Sequence, residues 1–134
     1  MPVMGLNPHD FNQEEGMNFE EAVTQFFHVI NERNLEKLED LLDEKAEFYF
    51  PKTQPLLGKE KILRIFKILF RRYPELVFQI KRRILQGEAA AVHWSNEGVK
   101  KGGEQYANEG ITLLETKSQK IVFISDFFKD TEKF

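Results

Sequence analysis

The chain has no cysteine at all. Disulfides, thiolate nucleophiles and cysteine-ligated zinc are therefore excluded. It has only three histidines, His9, His28 and His93, and their spacing matches no metal site. No other cluster of His, Asp and Glu is recognisable as one, so neither a metal nor another cofactor is expected. No apolar run approaches the ~20 residues that a membrane span requires. There is no excess of basic residues either: 19 Lys and Arg stand against 22 Asp and Glu, a net charge of −3. That balance argues against a nucleic-acid binder, which normally carries a basic footprint. Gly102-Gly103 lacks the strand–loop–helix context of a phosphate loop. Internal repeats and low-complexity tracts are missing. Met1 to Met17 has no charged segment leading into an apolar core, so no secretory signal is expected and the cytoplasm is the default location.

What is present reads as one globular domain of 134 residues, 41% hydrophobic and 31% charged. Thirteen phenylalanines stand out and suggest a bulky core, or apolar surface reserved for a cavity or a partner. Residues 1–17 carry Pro2, Gly5, Pro8 and Gly16 without periodicity and read as a flexible arm. The domain proper is expected over 18–134.

Asn18 with Glu21 is a capping-box pattern. Phe19, Ala22, Val23, Phe26, Phe27 and Ile30 follow at helical spacing. Asn34 caps a second helix whose buried face is Leu35, Leu38, Leu41 and Leu42. Glu47 to Phe50 is a short strand stopped by Pro51. After Gly58, a third helix buries Ile62, Leu63, Phe66, Leu69, Phe70 and Tyr73, and Pro74 ends it. The period then becomes strand-like over Leu76–Leu85, Ala89–Glu97, Glu104–Thr116 and Lys120–Phe128. Three helices followed by meandering antiparallel strands define an α+β fold with helices on one face of the sheet.

Tyr73-Pro74-Glu75-Leu76 leading into a strand, then Ala91-Val92-His93-Trp94, then a last strand ending in Asp126-Phe127-Phe128-Lys129-Asp130, stand in an order that resembles the SnoaL-like branch of the nuclear transport factor 2-like superfamily. The similarity spans about Phe19 to Asp130. It implies three N-terminal helices packed in the concave face of a curved, mostly antiparallel sheet, a cone enclosing a hydrophobic pocket. It also implies a homodimer formed through the convex face, on which it puts Val92 and Trp94. The superfamily holds polyketide cyclases, steroid isomerases, dehydratases, epoxide hydrolases and non-enzymatic binders, so the fold alone does not assign an activity.

An ungapped match onto the steroid isomerases puts Phe26 where they have the oxyanion-hole tyrosine and Phe50 where they have the general-base aspartate. A phenyl ring can do neither task, so that mechanism is not expected. No counterpart is found for the Asp-Arg-Asp constellation of the limonene epoxide hydrolase type.

Asp126 is the sharpest candidate. The resemblance turns Ile124, Asp126 and Phe128 toward the pocket, and a carboxyl in an apolar cup has a raised pKa. The competing reading is a solvent-facing or structural carboxylate, because a one-residue register slip would turn it outward. The resemblance likewise turns Ala91, His93 and Ser95 inward. That would make His93 a polar partner of Asp126 or an oxyanion stabiliser, or else a satisfied core histidine. One strand lies between theirs, about 10 Å of backbone separation, so Asn108, Thr112 and Thr116 on that strand could bridge them, with Glu109 facing the other way. Tyr49 is expected on the outer face. Phe26, Phe50, Phe66, Leu114 and Phe128 are either pocket walls or core filling.

The expected role is therefore binding of a small, largely apolar organic molecule. If catalytic, the chain performs cofactor-independent isomerisation, dehydration or aldol cyclisation with Asp126 as acid or base. The alternative is a non-catalytic ligand-binding or dimerisation module.

Overall fold

The computed structural model describes residues 19–133. The 1–17 arm and the Asn18 cap lie outside them. The elements are α1 (Phe19–Glu32), α2 (Leu35–Leu41), β1 (Leu42–Tyr49), β2 (Leu56–Leu57), α3 (Lys59–Arg72), β3 (Val77–Gln86), β4 (Ala89–Val99), β5 (Gln105–Lys117) and β6 (Lys120–Phe128), then a short 3-10 turn at Thr131–Lys133. The strands form one six-stranded sheet in the order β2-β1-β6-β5-β4-β3. All neighbours are antiparallel except β1 and β6, which run parallel. The three helices pack against this curved, open sheet, as the α+β reading expects.

Periodicity explains the helices. On α1, Ala22, Val23, Phe26, Phe27, Val29 and Ile30 are buried along one stripe. Asn34 caps α2, its side chain accepting from Lys37 N at 3.1 Å. On α3, Ile62 and Phe66 are buried, while Arg64, Lys67 and Arg71 face solvent. No helix among the described residues is long and apolar enough to cross a membrane.

The turn after α1 joins the two layers. The Asn31 side chain donates to Phe78 O at 3.0 Å and accepts from Phe78 N at 2.8 Å, acting as one more rung on β3. Arg33, in a left-handed conformation (φ 58°), donates from Nη2 to Tyr73 O and Leu76 O, both at 2.9 Å. These contacts tie the turn after α1 to the turn between α3 and β3.

One boundary and the facing of one strand differ from expectation. β1 begins at Leu42, directly after α2, rather than at Glu47. Leu42 continues the leucine spacing of α2, but it is extended and pairs with Ile121. Parallel pairing with β6 overrides local helical preference there.

The second difference concerns β4. Val92 and Trp94 are fully buried and Asn96 is 3% exposed, while Ala91, His93 and Ser95 look outward and are partly exposed. The inward and outward sets are thus reversed from the expected ones. Burying an indole and a valine releases far more apolar surface than burying an imidazole. Gly110, opposite Trp94, completes the reason: a Cβ there would lie 2.3 Å from Phe127 O and 2.7 Å from the Trp94 ring. The indole occupies the space that a side chain at 110 would need. Tyr49 does lie on the outer face, its ring 5.4 Å from Phe123.

Candidate active site

A cavity of about 440 Å³ lies between the helices and the concave face of the sheet. That is within the usual range for small-molecule sites. Phe26 of α1, Phe66 and Phe70 of α3, Phe78 of β3 and Phe128 of β6 supply most of its apolar wall, with Phe50 and Pro51 at the loop after β1. The rings brace one another. Phe26 meets Phe66 edge-on at 6.4 Å, Phe50 meets Phe128 edge-on at 5.4 Å, and Trp94 packs edge-on against both Phe78 and Phe128 at 4.9 and 5.1 Å.

Asp126 lines this cavity. Alternation along β6 turns Ile124, Asp126 and Phe128 to one side, and register places Thr112 directly across from Asp126. The Thr112 hydroxyl donates to Asp126 Oδ1 at 2.5 Å and accepts from Trp94 Nε1 at 2.8 Å. An indole N–H can only donate. The Thr112 oxygen is thus committed as its acceptor, and the Thr112 proton is committed to Asp126. Oδ1 of Asp126 always accepts. When the carboxyl is protonated, its proton therefore sits on Oδ2, which has no hydrogen-bond partner among the described residues.

Burial pushes the Asp126 carboxyl from its ordinary 3.8 up to about 7, the Thr112 hydrogen bond opposing this only in part. Desolvation disfavours the anion more than one hydroxyl can restore. Both protonation states are accordingly populated near neutral pH.

The other end of the cavity is built from the α1–α2 turn, the α3–β3 turn, β4 and the start of β5. Arg33, Tyr73, Leu76, Asn96 and Tyr106 meet there. The Tyr73 and Tyr106 rings are 5.0 Å apart, and burial holds the Tyr106 hydroxyl up at about 12. Tyr106 is therefore a neutral hydroxyl at any physiological pH.

Of the residues singled out in the sequence, Asp126, Phe26, Phe50, Phe66, Thr112 and Phe128 come together around the cavity. Leu114 does not. It is 1% exposed and packed in the core with Ile124 across from it, one step beyond Thr112. His93 does not either, because the phase of β4 sends it to the outer face. There the Glu109 carboxylate accepts from His93 Nε2 at 2.6 Å, and Lys129 Nζ stands 3.7 Å from the other oxygen. The His93 hydrogen bond and Lys129 hold the Glu109 carboxyl below its usual range. A dyad of His93 with Asp126 is thereby excluded: the sheet itself separates them. Among the described residues no group of three or more His, Asp or Glu could hold a metal ion.

Arg33, Phe70, Phe78, Asn96 and Tyr106 also line the cavity and are not among the site residues singled out in the sequence. Asn96 follows from continuing the Ala90, Val92, Trp94 series by one step. Arg33 carries no sequence signal, since only the fold of the α1–α2 turn brings it to the cavity.

Three helices packed against a curved, open sheet are the architecture of the nuclear transport factor 2-like class of protein. The SnoaL-like domain model matches residues 23–124, and the chain belongs to that family. Among solved structures, an NTF2-like protein from Anabaena variabilis ATCC 29413 shares 18% identity over 98% of each chain, with a TM-score of 0.77. A provisional SnoaL-like polyketide cyclase from Jannaschia sp. CCS1 shares 16% identity over 83% of this chain and 85% of its own, with a TM-score of 0.76. A protein with a ketosteroid isomerase-like fold from Catenulispora acidiphila DSM 44928, solved with trimethylamine, shares 19% identity over 80% of this chain and 84% of its own, with a TM-score of 0.73. At these identities the likeness establishes the fold. No curated protein matches the chain in sequence.

Proposed function

We propose that the cavity binds a small, largely apolar organic molecule and that Asp126 moves a proton on it without a cofactor. The observation that carries this reading is the one-directional chain from Trp94 through Thr112 to Asp126, which leaves Oδ2 as the working oxygen. A carboxyl poised near neutrality is suited both to remove a proton and to return it. Ionised Oδ2 takes a proton from a carbon beside a carbonyl, and the C–H electron pair becomes an enolate. Return of that proton at a different carbon is an isomerisation. Expulsion of a β-hydroxyl, taking up the proton as water, is a dehydration. Attack of the enolate carbon on a second carbonyl is an aldol cyclisation, with the proton ending on the new alkoxide.

Exchange of α-protons for deuterium in D2O, followed by NMR on α-tetralone and 2-cyclohexenone, tests the step all three reactions share. The parent should accelerate exchange, and Asp126→Asn should lose on the order of a hundredfold or more. Binding of these ketones without any acceleration would move the assignment to a non-catalytic binding module.

We also infer that the chain self-associates through the outer face of the sheet. Ile84, Ile111, Leu113 and Phe127 are exposed there, and the register brings Leu113 beside Ala91 and Ile111 beside Phe127. A contiguous apolar patch of this kind marks an interaction surface. Sedimentation of the parent should give a dimer, and Phe127→Arg should give a monomer. A monomeric parent at micromolar concentration would end this inference.

A further inference from the structure

Among the described residues, three buried side-chain polar atoms have no hydrogen-bond partner: Arg33 Nε and both Nδ2 and Oδ1 of Asn96. Both residues line the cavity. Asn108, directly opposite Asn96 in register, shows the contrast. Its amide donates to Tyr106 Oη and Asp130 O and accepts from Glu109 N and Asp130 N. Native proteins keep few orphaned polar atoms, because each forfeits its water contacts without replacement. Finding all three in two residues of one cavity is a feature that needs a cause.

We propose that this end of the cavity is a carboxylate subsite, and that the ligand is an amphipathic organic acid with its acid group at Arg33 and Asn96 and its reacting centre at Asp126. The inference rests on the preceding reading that the cavity binds a small organic molecule. The orphaned donors are a guanidinium N–H and an amide N–H, the pair suited to a carboxylate's two oxygens. The Arg33 guanidinium is otherwise spent on neutral carbonyls of Asn31, Tyr73 and Leu76, and among the described residues its acidic neighbour Glu75 acts on it only electrostatically, without a salt bridge. An anion arriving there would compensate a cation whose burial Glu75 offsets only in part. Arg33 Nε and the Asn96 amide are both shielded from solvent, so each reaches the ligand only after a local shift, which for Asn96 is a side-chain rotation. That rotation breaks no hydrogen bond, because the amide makes none.

The subsite is not an oxyanion hole for the reacting carbonyl. Asn96 and Asp126 are separated by two strand spacings across the sheet and by the four-residue step from Asn108 to Thr112 along it. That places their backbones roughly 16 Å apart. A molecule touching both ends is elongated, with two distinct polar groups and an apolar body between Phe26, Phe66 and Phe78.

Calorimetric titration at pH 7.5 with 2-naphthylacetate, its methyl ester and neutral 2-methylnaphthalene tests the proposal. The parent should bind the acid at least about tenfold more tightly than the ester, as expected for charge-assisted pairing in a desolvated site. Asn96→Leu, which removes the orphaned amide at similar volume, should cut that preference to about threefold or less. Asn96→Asp should reverse it, since like charges repel. Equal binding of acid and ester to the parent would overturn the subsite and leave the cavity reading intact. A preference that survives both variants would place the acid elsewhere and also overturn it. Failure of all three probes to bind would remove the cavity reading and the subsite together.

Discussion

The Trp94 indole and the Asp126 carboxyl stand at opposite ends of a hydrogen-bond chain that can run in only one direction. Trp94 donates, Thr112 relays, and Asp126 accepts. The side chain that starts this chain is itself fully buried beneath the cavity wall.

Replacing Thr112 by valine keeps the shape and removes the relay. The indole N–H is then orphaned, which should destabilise the fold by about 1–3 kcal/mol. Asp126 also loses the one hydrogen bond that opposes its desolvation, so its pKa should rise above about 7. Carbon-detected NMR titration of the Asp126 carboxyl measures the shift. An unchanged or lower value would mean that the hydrogen bond does not favour the ionised form.

Stability should depend on pH in a direction opposite to the ordinary carboxylate. The folded state binds the Asp126 proton more tightly than the unfolded chain does, at about 7 against 3.8. The contribution is complete below 3.8 and is lost as pH rises toward about 7. Asp126→Asn keeps an acceptor for Thr112 and cannot ionise. Denaturant melts should show it more stable than the parent by on the order of 2 kcal/mol at pH 8, with no gain at pH 4. Equal stability at pH 8 would mean that the carboxylate is solvated after all.

His93 pairs with Glu109 on the face opposite the cavity. Replacing it with alanine should leave ligand affinity and any turnover within about twofold of the parent, the small effect of a change away from a site. The Glu109 carboxyl should titrate closer to its ordinary 4.5, because the largest influence holding it down is gone. A large loss of turnover in this variant would contradict the separation of the two faces.

Gly110→Ala tests the packing behind the chain. The added methyl group meets backbone at Phe127 O and the Trp94 ring at once. Overpacking of this kind costs about 1–3 kcal/mol. Because the indole must move to make room, the emission of Trp94, the chain's single tryptophan, should shift along with the melt. An unshifted spectrum would mean that the backbone yields instead.

Legibility in the sequence followed the strength of the alternation. Over residues 120–128 the alternation marks a strand, and the family likeness puts Asp126 in phase with Ile124 and Phe128, as observed. Asn108, Thr112 and Thr116 are likewise buried together, with Glu109 opposed. On β4 the polarity alternation itself, Ala90, Val92 and Trp94 against His93, Ser95 and Glu97, held the right phase, and the family likeness pointed to the wrong one. The α2–β1 junction was hidden because Leu38, Leu41 and Leu42 satisfy a helical period, whereas the pairing that extends Leu42 lies on the distant β6. Arg33 was hidden for a related reason. Its carbonyl partners at Tyr73 and Leu76 are forty or more residues away.

The parallel pairing of β1 with β6 joins segments more than seventy residues apart in the chain. Contacts of such long sequence separation form late, because the loop they close must first lose its entropy. During synthesis, the helices and β1 emerge well before the strand that carries Asp126 and Phe128. Until that strand arrives, the buried side of β1 has no neighbour on its β6 edge and the aromatic side chains of the cavity have no opposing wall. The Asp126 end of the cavity is therefore late to form, and the period before it closes is when the nascent chain is most exposed to aggregation.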